Sequence, residues 1–489
     1  MSLKEPTELQ SARIGETVRG RDLRMRVAVV GAGITGLTIA ERLVRLGHEV
    51  VLFEKGRIGG LAAGFPYRGS RRVYLEKFYH HIFTHDDAII QLIRSHGLWE
   101  DVIWRKVQSG LIARGRVWPF NSPLDLVRLS PMGSLWQRLL MGWNLWRLSR
   151  TEDWRSLEGV RCREFFERRG NLAGYRFLWE TLLKQKFADR FDDVAASFLW
   201  GRLRARAASK QRGGETLGYL RGGFQHLLLK MVDAIRQNGG RVCAGRPVVE
   251  IEPGVRPKVT WADGTDVFDR VVWTASPYRL LRLAKTAPDE AVRKAKEIDY
   301  LAVTELILVL KRRQTPFYWL NSVDPLVSFG GLIEHTNLVP EQEYRGEHVL
   351  YVVNYHRPND ARFGRKSAEA LLRYHMPSLA RVIPGFRPSD VLRAHSIQCA
   401  YASPLYDLGF AARRPPWQGW LPQVDICGMA QVYPEDRNMS HCVDNAVRYV
   451  AECFETPIKR PALALCAQRP SQGDFSPDLM NQTTASCRE

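Results

Sequence analysis

Residues 26–55, RVAVVGAGITGLTIAERLVRLGHEVVLFEK, constrain this 489-residue chain more than any other segment. Val27 to Val30 is a short unbroken apolar run rich in β-branched residues, the pattern of a strand covered on both faces of a parallel sheet. Gly31, Gly33 and Gly36 follow as GxGxxG, and residues 35–46 then show helical periodicity, with Leu37, Ala40, Leu43 and Val44 on one face. His48 to Phe53 reads as a second strand, closed by Glu54. The first glycine permits a tight turn, the second lets a pyrophosphate approach the backbone, and the third lets helix pack closely on strand. Free N–H groups at the helix opening, around Ile34 and Thr35, face phosphate. Glu54 stands about 20 residues past the glycines, where a carboxylate accepts from ribose hydroxyls. This order predicts dinucleotide binding rather than an ordinary glycine-rich βαβ unit.

A second glycine pair lies just beyond the acid, in Lys55-Gly56-Arg57-Ile58-Gly59-Gly60-Leu61. The extended segment resembles the fingerprint of the amine oxidase, protoporphyrinogen oxidase and phytoene desaturase superfamily. That resemblance implies FAD, bound extended, with Gly59 and Gly60 wrapping the pyrophosphate a second time. Two further segments are similar to the same family. Arg246–Ile251 and the VTWADGTDVFDRVVWTASP run at 259–277 resemble its returning β-unit, in which Val248 meets adenine through its backbone. Asp263-Gly264 independently reads as a hairpin turn. Val424–Ala430 reads as a strand ending in Gly428, and Met439-Ser440 opens a helix, together resembling the family's last flavin motif. Met429 follows the glycine where relatives usually carry an acid, so the ribityl role passes to Glu435 or Asp436. Asn445 also replaces a frequent glycine. No SGGCY-like attachment motif occurs, which implies non-covalent flavin. The implied fold is α/β, a Rossmann-like FAD-binding domain of the GR2 type interleaved with an α+β substrate domain.

The expected FAD domain comprises 25–97, 223–298 and 396–456; the substrate domain comprises 98–222, mostly helical, and 299–395, an antiparallel sheet. Residues 304–311 and 348–356 alternate like strands and suit the floor of a substrate site. Tyr219–Gln225 resembles a glycine-rich turn returning to the FAD domain. Residues 1–24 read as a flexible leader and 457–489 as a loose tail. Leu135–Arg150 places Trp136, Leu139, Leu140, Trp143 and Trp146 near one helix face, with arginines elsewhere. This is either a core helix or an interfacial helix meeting an anionic membrane. The formal charge of +19 favours anionic partners. Scattered basic residues without a recognition module argue against nucleic acid. Eight dispersed cysteines without CxxC pairs predict reduced thiols and a cytoplasmic location, with peripheral contact at the inner membrane face as an option. No apolar run reaches the roughly 18 residues needed to cross a bilayer.

Glu76–Phe83 follows the second glycine pair, and UDP-galactopyranose mutases of the same flavin fold carry a similar histidine-Ile-Phe element. His80 and His81 are therefore candidates for proton transfer or flavin contact, against the alternative of one buried and one exposed ring. Tyr401 and Tyr433 are candidate aromatic walls, and Tyr433 a candidate catalytic hydroxyl, with core packing as the alternative. Glu334, His335 and Asn337 form a polar cluster suited to a hydroxylated or phosphorylated substrate. Lys186 reads either as a ligand for the flavin or a substrate anion or, more simply, as a solvated face. No zinc, HExxH, GxSxG or Walker pattern is present, so no metal is expected and hydrolysis lacks support. The sequence thus predicts an FAD-dependent oxidoreductase that moves a hydride from a small organic substrate to flavin N5, with oxygen, a quinone or another carrier as acceptor. The alternative is a non-redox mutase acting on a nucleotide- or lipid-linked sugar.

Overall fold

The computed structural model describes residues 24–211 and 214–455. The expected leader, except its last residue, and the expected tail lie outside the described residues. Five parallel strands form the first sheet, in the order Arg241–Ala244, Glu49–Glu54, Arg26–Val30, Arg270–Trp273 and Val424–Ile426. The unbroken apolar run of the first strand follows from two covered faces. Val27 and Val29 enter one core with Leu37, Leu43, Leu227 and Val443, from three helices packed on that side. Ala28 and Val30 enter a second core with Ile251, Val259 and Phe268, from the three-stranded antiparallel β-unit on the other side. Neighbouring side chains therefore go to different cores, and both are apolar.

A seven-stranded sheet carries the other half of the molecule. Its long members Tyr300–Leu310, His348–His356 and Val391–Pro404 pair antiparallel. Every residue of Tyr300–Leu310 is buried, so this strand has no solvent-exposed face. Val303, Ile307 and Val309 join the core shared with the first sheet, while Leu306, Leu308 and Leu310 pack on Leu371, Leu379 and Val382 of helix Ala368–Val382.

Three expectations need correcting. The Val391–Pro404 strand runs unbroken through the boundary drawn at 395/396, because its pairing with Tyr300–Leu310 extends to Ser403 and Pro404. The region 98–222 is not simply helical. Ser109–Ala113 and Arg116–Pro119 extend the seven-stranded sheet, and Val102–Val107 pairs with Gly214–Leu220 beside Ile82–Phe83. Helix Leu135–Ser149 packs one side on the core, but its tryptophans do not enter it. Met141, Asn144 and Leu148 are the buried residues, whereas Trp136, Leu139, Trp143 and Trp146 are 48% to 70% exposed.

Candidate functional site

The glycines of the opening motif meet their neighbours as closely as backbone atoms allow. A Cβ on Gly36 would stand 1.9 Å from the Gly31 carbonyl oxygen, so only glycine lets the helix Ile34–Arg45 start against the strand end. Gly31 has φ +110°, and a Cβ there would lie 2.4 Å from Thr274 Oγ1. Gly33 and Gly60 face each other: a Cβ on Gly60 would lie 3.2 Å from the Gly33 Cα. Gly59 donates to the Ala32 carbonyl at 2.8 Å, holding the two turns side by side. The helix carries no capping side chain at Gly33 and no acid in its first turn, so its N-terminal amides remain available to an anion. Ile34 and Thr35 are buried at that turn and Leu61 is half-buried in the second, while Lys55 is exposed beside Glu54.

Glu54 does more than the sequence suggested. Its two carboxylate oxygens accept from Ala32 N and Gly56 N, at 2.9 Å each, and so clamp the turns. Each oxygen keeps a lone pair for a hydroxyl. Gly245 N and Arg246 N donate to the Gly56 and Glu54 carbonyls, which brings the half-buried Val248 and its strand beside the acid. At the far end Gly428 is needed for proximity, since a Cβ there would lie 3.1 Å from the Thr274 carbonyl oxygen. Met429 is half-buried and its carbonyl accepts from the Tyr406 hydroxyl at 3.1 Å. Met439 is buried as the first residue of helix Met439–Val450, and Asn438 caps that helix by accepting from His441 N at 2.8 Å. The Asn438 amide donates to Asp86 at 3.0 Å, which ties the His80–Phe83 segment to the start of this helix. A side-chain-free double turn, free amides and a clamped acid fit the pyrophosphate and ribose of a dinucleotide.

His80 and His81 lie in this region, and burial pulls each imidazole down to about 4. Both rings are therefore neutral at pH 7. His80 Nδ1–H donates to the Phe78 carbonyl at 2.6 Å, leaving Nε2 as an acceptor. His81 Nδ1 shares a 3.1 Å hydrogen bond with the Tyr318 hydroxyl, and its ring meets Trp319 edge-on.

Asp436, one of the two acids given the ribityl role from sequence, faces the same space as His81. Its carboxylate accepts from Arg202 at 3.3 Å and from Arg437 N at 3.0 Å. Burial alone would raise its pKa; Arg202, Lys186 and Arg437 overcome that and hold it below the usual carboxylate range. Glu435 is half-buried on the same loop, where Gly201 of helix Ala196–Ser209 packs closely against the Pro434 carbonyl. Arg202, Arg206 and Arg437 were missed by the sequence reading, and Lys186 turns inward rather than outward. The available signal was the spacing of Phe198, Arg202 and Arg206, which places all three on one helix face.

Other candidates are corrected. Tyr433 is fully buried among Trp154, Tyr406 and Phe410, and its hydroxyl is bonded to Glu158 and to Ser197 Oγ, so it meets no open site. Glu334 and His335 are buried, and Asn337 is spent on the Thr315 and Phe317 carbonyls. His335 Nε2 is bonded to the Tyr344 hydroxyl at 2.7 Å. These groups tie the loop before Trp319 to the sheet, because a buried backbone needs partners. Tyr401 is half-buried, its ring against Tyr278 and Tyr300.

The sequence matches the family model for flavin-containing amine oxidoreductases over residues 34–417. A 4,4'-diapophytoene desaturase of Staphylococcus aureus (strain Newman) is 42% identical over 67 residues, covering 12% of this chain and 13% of that relative. Reduced UDP-galactopyranose mutase superposes with a TM-score of 0.68 at 16% identity, over 88% of this chain and 96% of that one. An Exiguobacterium sp. 255-15 protein assigned as a protoporphyrinogen oxidase gives 0.67 at 17% identity, over 88% and 99%. Fold and double glycine turn thus define a flavin-dependent α/β oxidoreductase scaffold. The chain belongs to the flavin-containing amine oxidoreductase family, and its cofactor is FAD.

Proposed function

We infer that the protein is an FAD-dependent oxidoreductase that works on an organic substrate held between the His80–His81 segment and the Asp436–Arg437 loop. The observation that carries this is the Asp86–Asn438 bond, which joins the histidine segment to the helix tip at the last flavin motif. FAD, when bound, supplies a hydride acceptor at N5 and passes the electrons to oxygen, a quinone or another carrier. The uncapped amides at the opening of helix Ile34–Arg45 would hold the pyrophosphate, with Gly31, Gly33, Gly36, Gly59 and Gly60 leaving it room, and Glu54 and Val248 would sit at the adenosine end. Neutral His80 offers Nε2 as a hydrogen-bond acceptor, and Tyr79 and His81 on either side of it in sequence pack edge-on against Trp319. Anaerobic mixing with candidate substrates tests the redox reading: bleaching of the flavin and stoichiometric acceptor reduction support it. Steady turnover that consumes no acceptor would instead establish the non-redox mutase reading. Full release of the flavin by denaturation is expected for a non-covalent cofactor.

The same reading includes a peripheral location on an anionic membrane face, from the cytoplasmic side where the six described free thiols would stay reduced. No helix among the described residues is long and apolar enough to cross a membrane. Helix Leu135–Ser149 instead exposes Trp136, Leu139, Trp143 and Trp146. Beside its C-terminal turn a cavity of about 520 Å³ is lined by Arg147, Arg168 and Arg169. An apolar face next to a basic recess matches an anionic lipid surface. Flotation with phosphatidylglycerol–phosphatidylcholine vesicles at low salt should carry the protein up, and the W136S/W143S double variant should stay down. Absence of flotation, or flotation unchanged in the variant, overturns the membrane reading.

A further inference from the structure

Four cations converge where the two halves of the molecule meet. Lys186, on helix Thr181–Phe187, places Nζ 5.5 Å from the ring centres of Phe198 and Tyr355. Arg202 lies 5.6 Å over the same Phe198 ring and reaches Asp436. Arg206 lies 5.3 Å over Trp319, and Arg437 donates to the Pro404 carbonyl at 2.9 Å. They come from two helices of the substrate half and from the loop that opens the helix at the last flavin motif. Tyr79, Trp319 and Tyr355 supply the aromatic surface between them, with Tyr79 and Trp319 edge to face at 5.4 Å. Lys186 pairs with no carboxylate among the described residues. Asp436 and Glu215 are acids that act on these cations.

Concentrating like charges in a partly desolvated space costs free energy unless a counter-charge arrives. The strain is visible in Lys186, whose pKa burial and then Arg202 and Arg437 push well below that of an ordinary lysine. Such a cluster of basic groups is matched by an anionic group. Planar guanidinium groups suit the oxygens of phosphate or diphosphate, and a compact ammonium completes the set. The aromatic side chains suit an apolar or ring-bearing remainder. An aliphatic amine, itself a cation, would be repelled.

We propose that this pocket is the substrate-recognition site for an organic phosphate or diphosphate ester, gripped through its phosphoryl oxygens by Lys186, Arg202, Arg206 and Arg437. The proposal rests on the oxidoreductase reading only for what happens next; the binding itself is independent of it.

Calorimetric titration of the FAD-loaded full chain with inorganic pyrophosphate tests the site, with 1,4-diaminobutane as the opposite charge. Pyrophosphate should bind and the diamine should not. Arg202→Gln and Lys186→Met should each weaken pyrophosphate at least tenfold, and Lys186→Arg should restore most of the loss. Because Arg147, Arg168 and Arg169 also attract phosphate, an R168Q/R169Q variant serves as control and should leave the strong binding in place. Preference for the diamine, or pyrophosphate binding that Arg202→Gln and Lys186→Met do not weaken while the surface control removes it, overturns the proposal. Flavin content, measured on the same preparations, reports the cofactor reading separately. A flavin-free protein that still binds pyrophosphate through Arg202 would leave the pocket standing and remove the redox function.

Discussion

The glycine cradle and the cationic pocket both face negative charge, but they handle it by opposite means. The cradle presents backbone amides and a helix opening, with no side chain between Gly33 and Gly60. The pocket presents long side chains whose charges repel one another until something anionic arrives. A backbone site cannot be neutralised by pH or retuned by one substitution; it fails when atoms intrude. A side-chain site tolerates new atoms but changes affinity with each charge. The first arrangement suits a cofactor that stays, and the second suits a ligand that comes and goes.

The contrast is sharpest at Gly36. Its Cβ would overlap the Gly31 carbonyl oxygen at 1.9 Å. G36A should lose about 3 kcal/mol of stability or more and emerge without flavin, read by thermal melting and visible absorption. A yellow, stable G36A would refute the steric account of the cradle. Next in size is Tyr433, which touches neither site. Y433F leaves Glu158 and Ser197 short of a buried hydrogen bond and should cost about 2 kcal/mol in denaturant unfolding, with flavin content unchanged. Loss of flavin in Y433F would return this residue to the site.

Lys186 should behave in the reverse sense. It is a desolvated cation without a carboxylate partner, so K186M should raise stability by about 1 kcal/mol even as it weakens anion binding. A destabilised K186M would show that the charge holds the fold together. A pH-dependent effect concerns Glu334, whose carboxyl burial pushes from 4.5 up to about 8. The folded protein keeps this proton between those values and the unfolded chain does not. The resulting stability is complete below the unfolded pKa and is lost as pH rises through the folded one. E334Q should lose less stability than the parent over that window, by on the order of 1 kcal/mol per pH unit. Parallel pH profiles for parent and variant would contradict the assignment.

These residues also show what a sequence carries and what it hides. Gly31, Gly36 and Gly59 were readable because their need is steric and local: turn, helix start and second turn lie within one stretch of chain. Glu54 was readable by position, although its clamp on Ala32 and Gly56 was not. Arg202 was hidden, and Lys186 left between two readings, because an inward cation on a helix has the same pattern as an outward one. Only the meeting of two helices with the Asp436 loop separates the cases. Glu334, His335 and Asn337 misled for the converse reason: polar residues between strands suggested an open site, whereas Glu334 and Asn337 satisfy backbone groups and His335 is buried against the Tyr344 hydroxyl. Tyr300–Leu310 was legible as a strand, but its second apolar face depends on a helix far along the chain.

The central claim is that the double glycine turn holds FAD. Its most direct test is to denature the purified full-length protein and identify the released nucleotide by mass spectrometry against protein concentration. One FAD per chain, absent from G36A and retained in R202Q, is the predicted result. A colourless protein that stays colourless after incubation with FAD, while folded by circular dichroism, would contradict it.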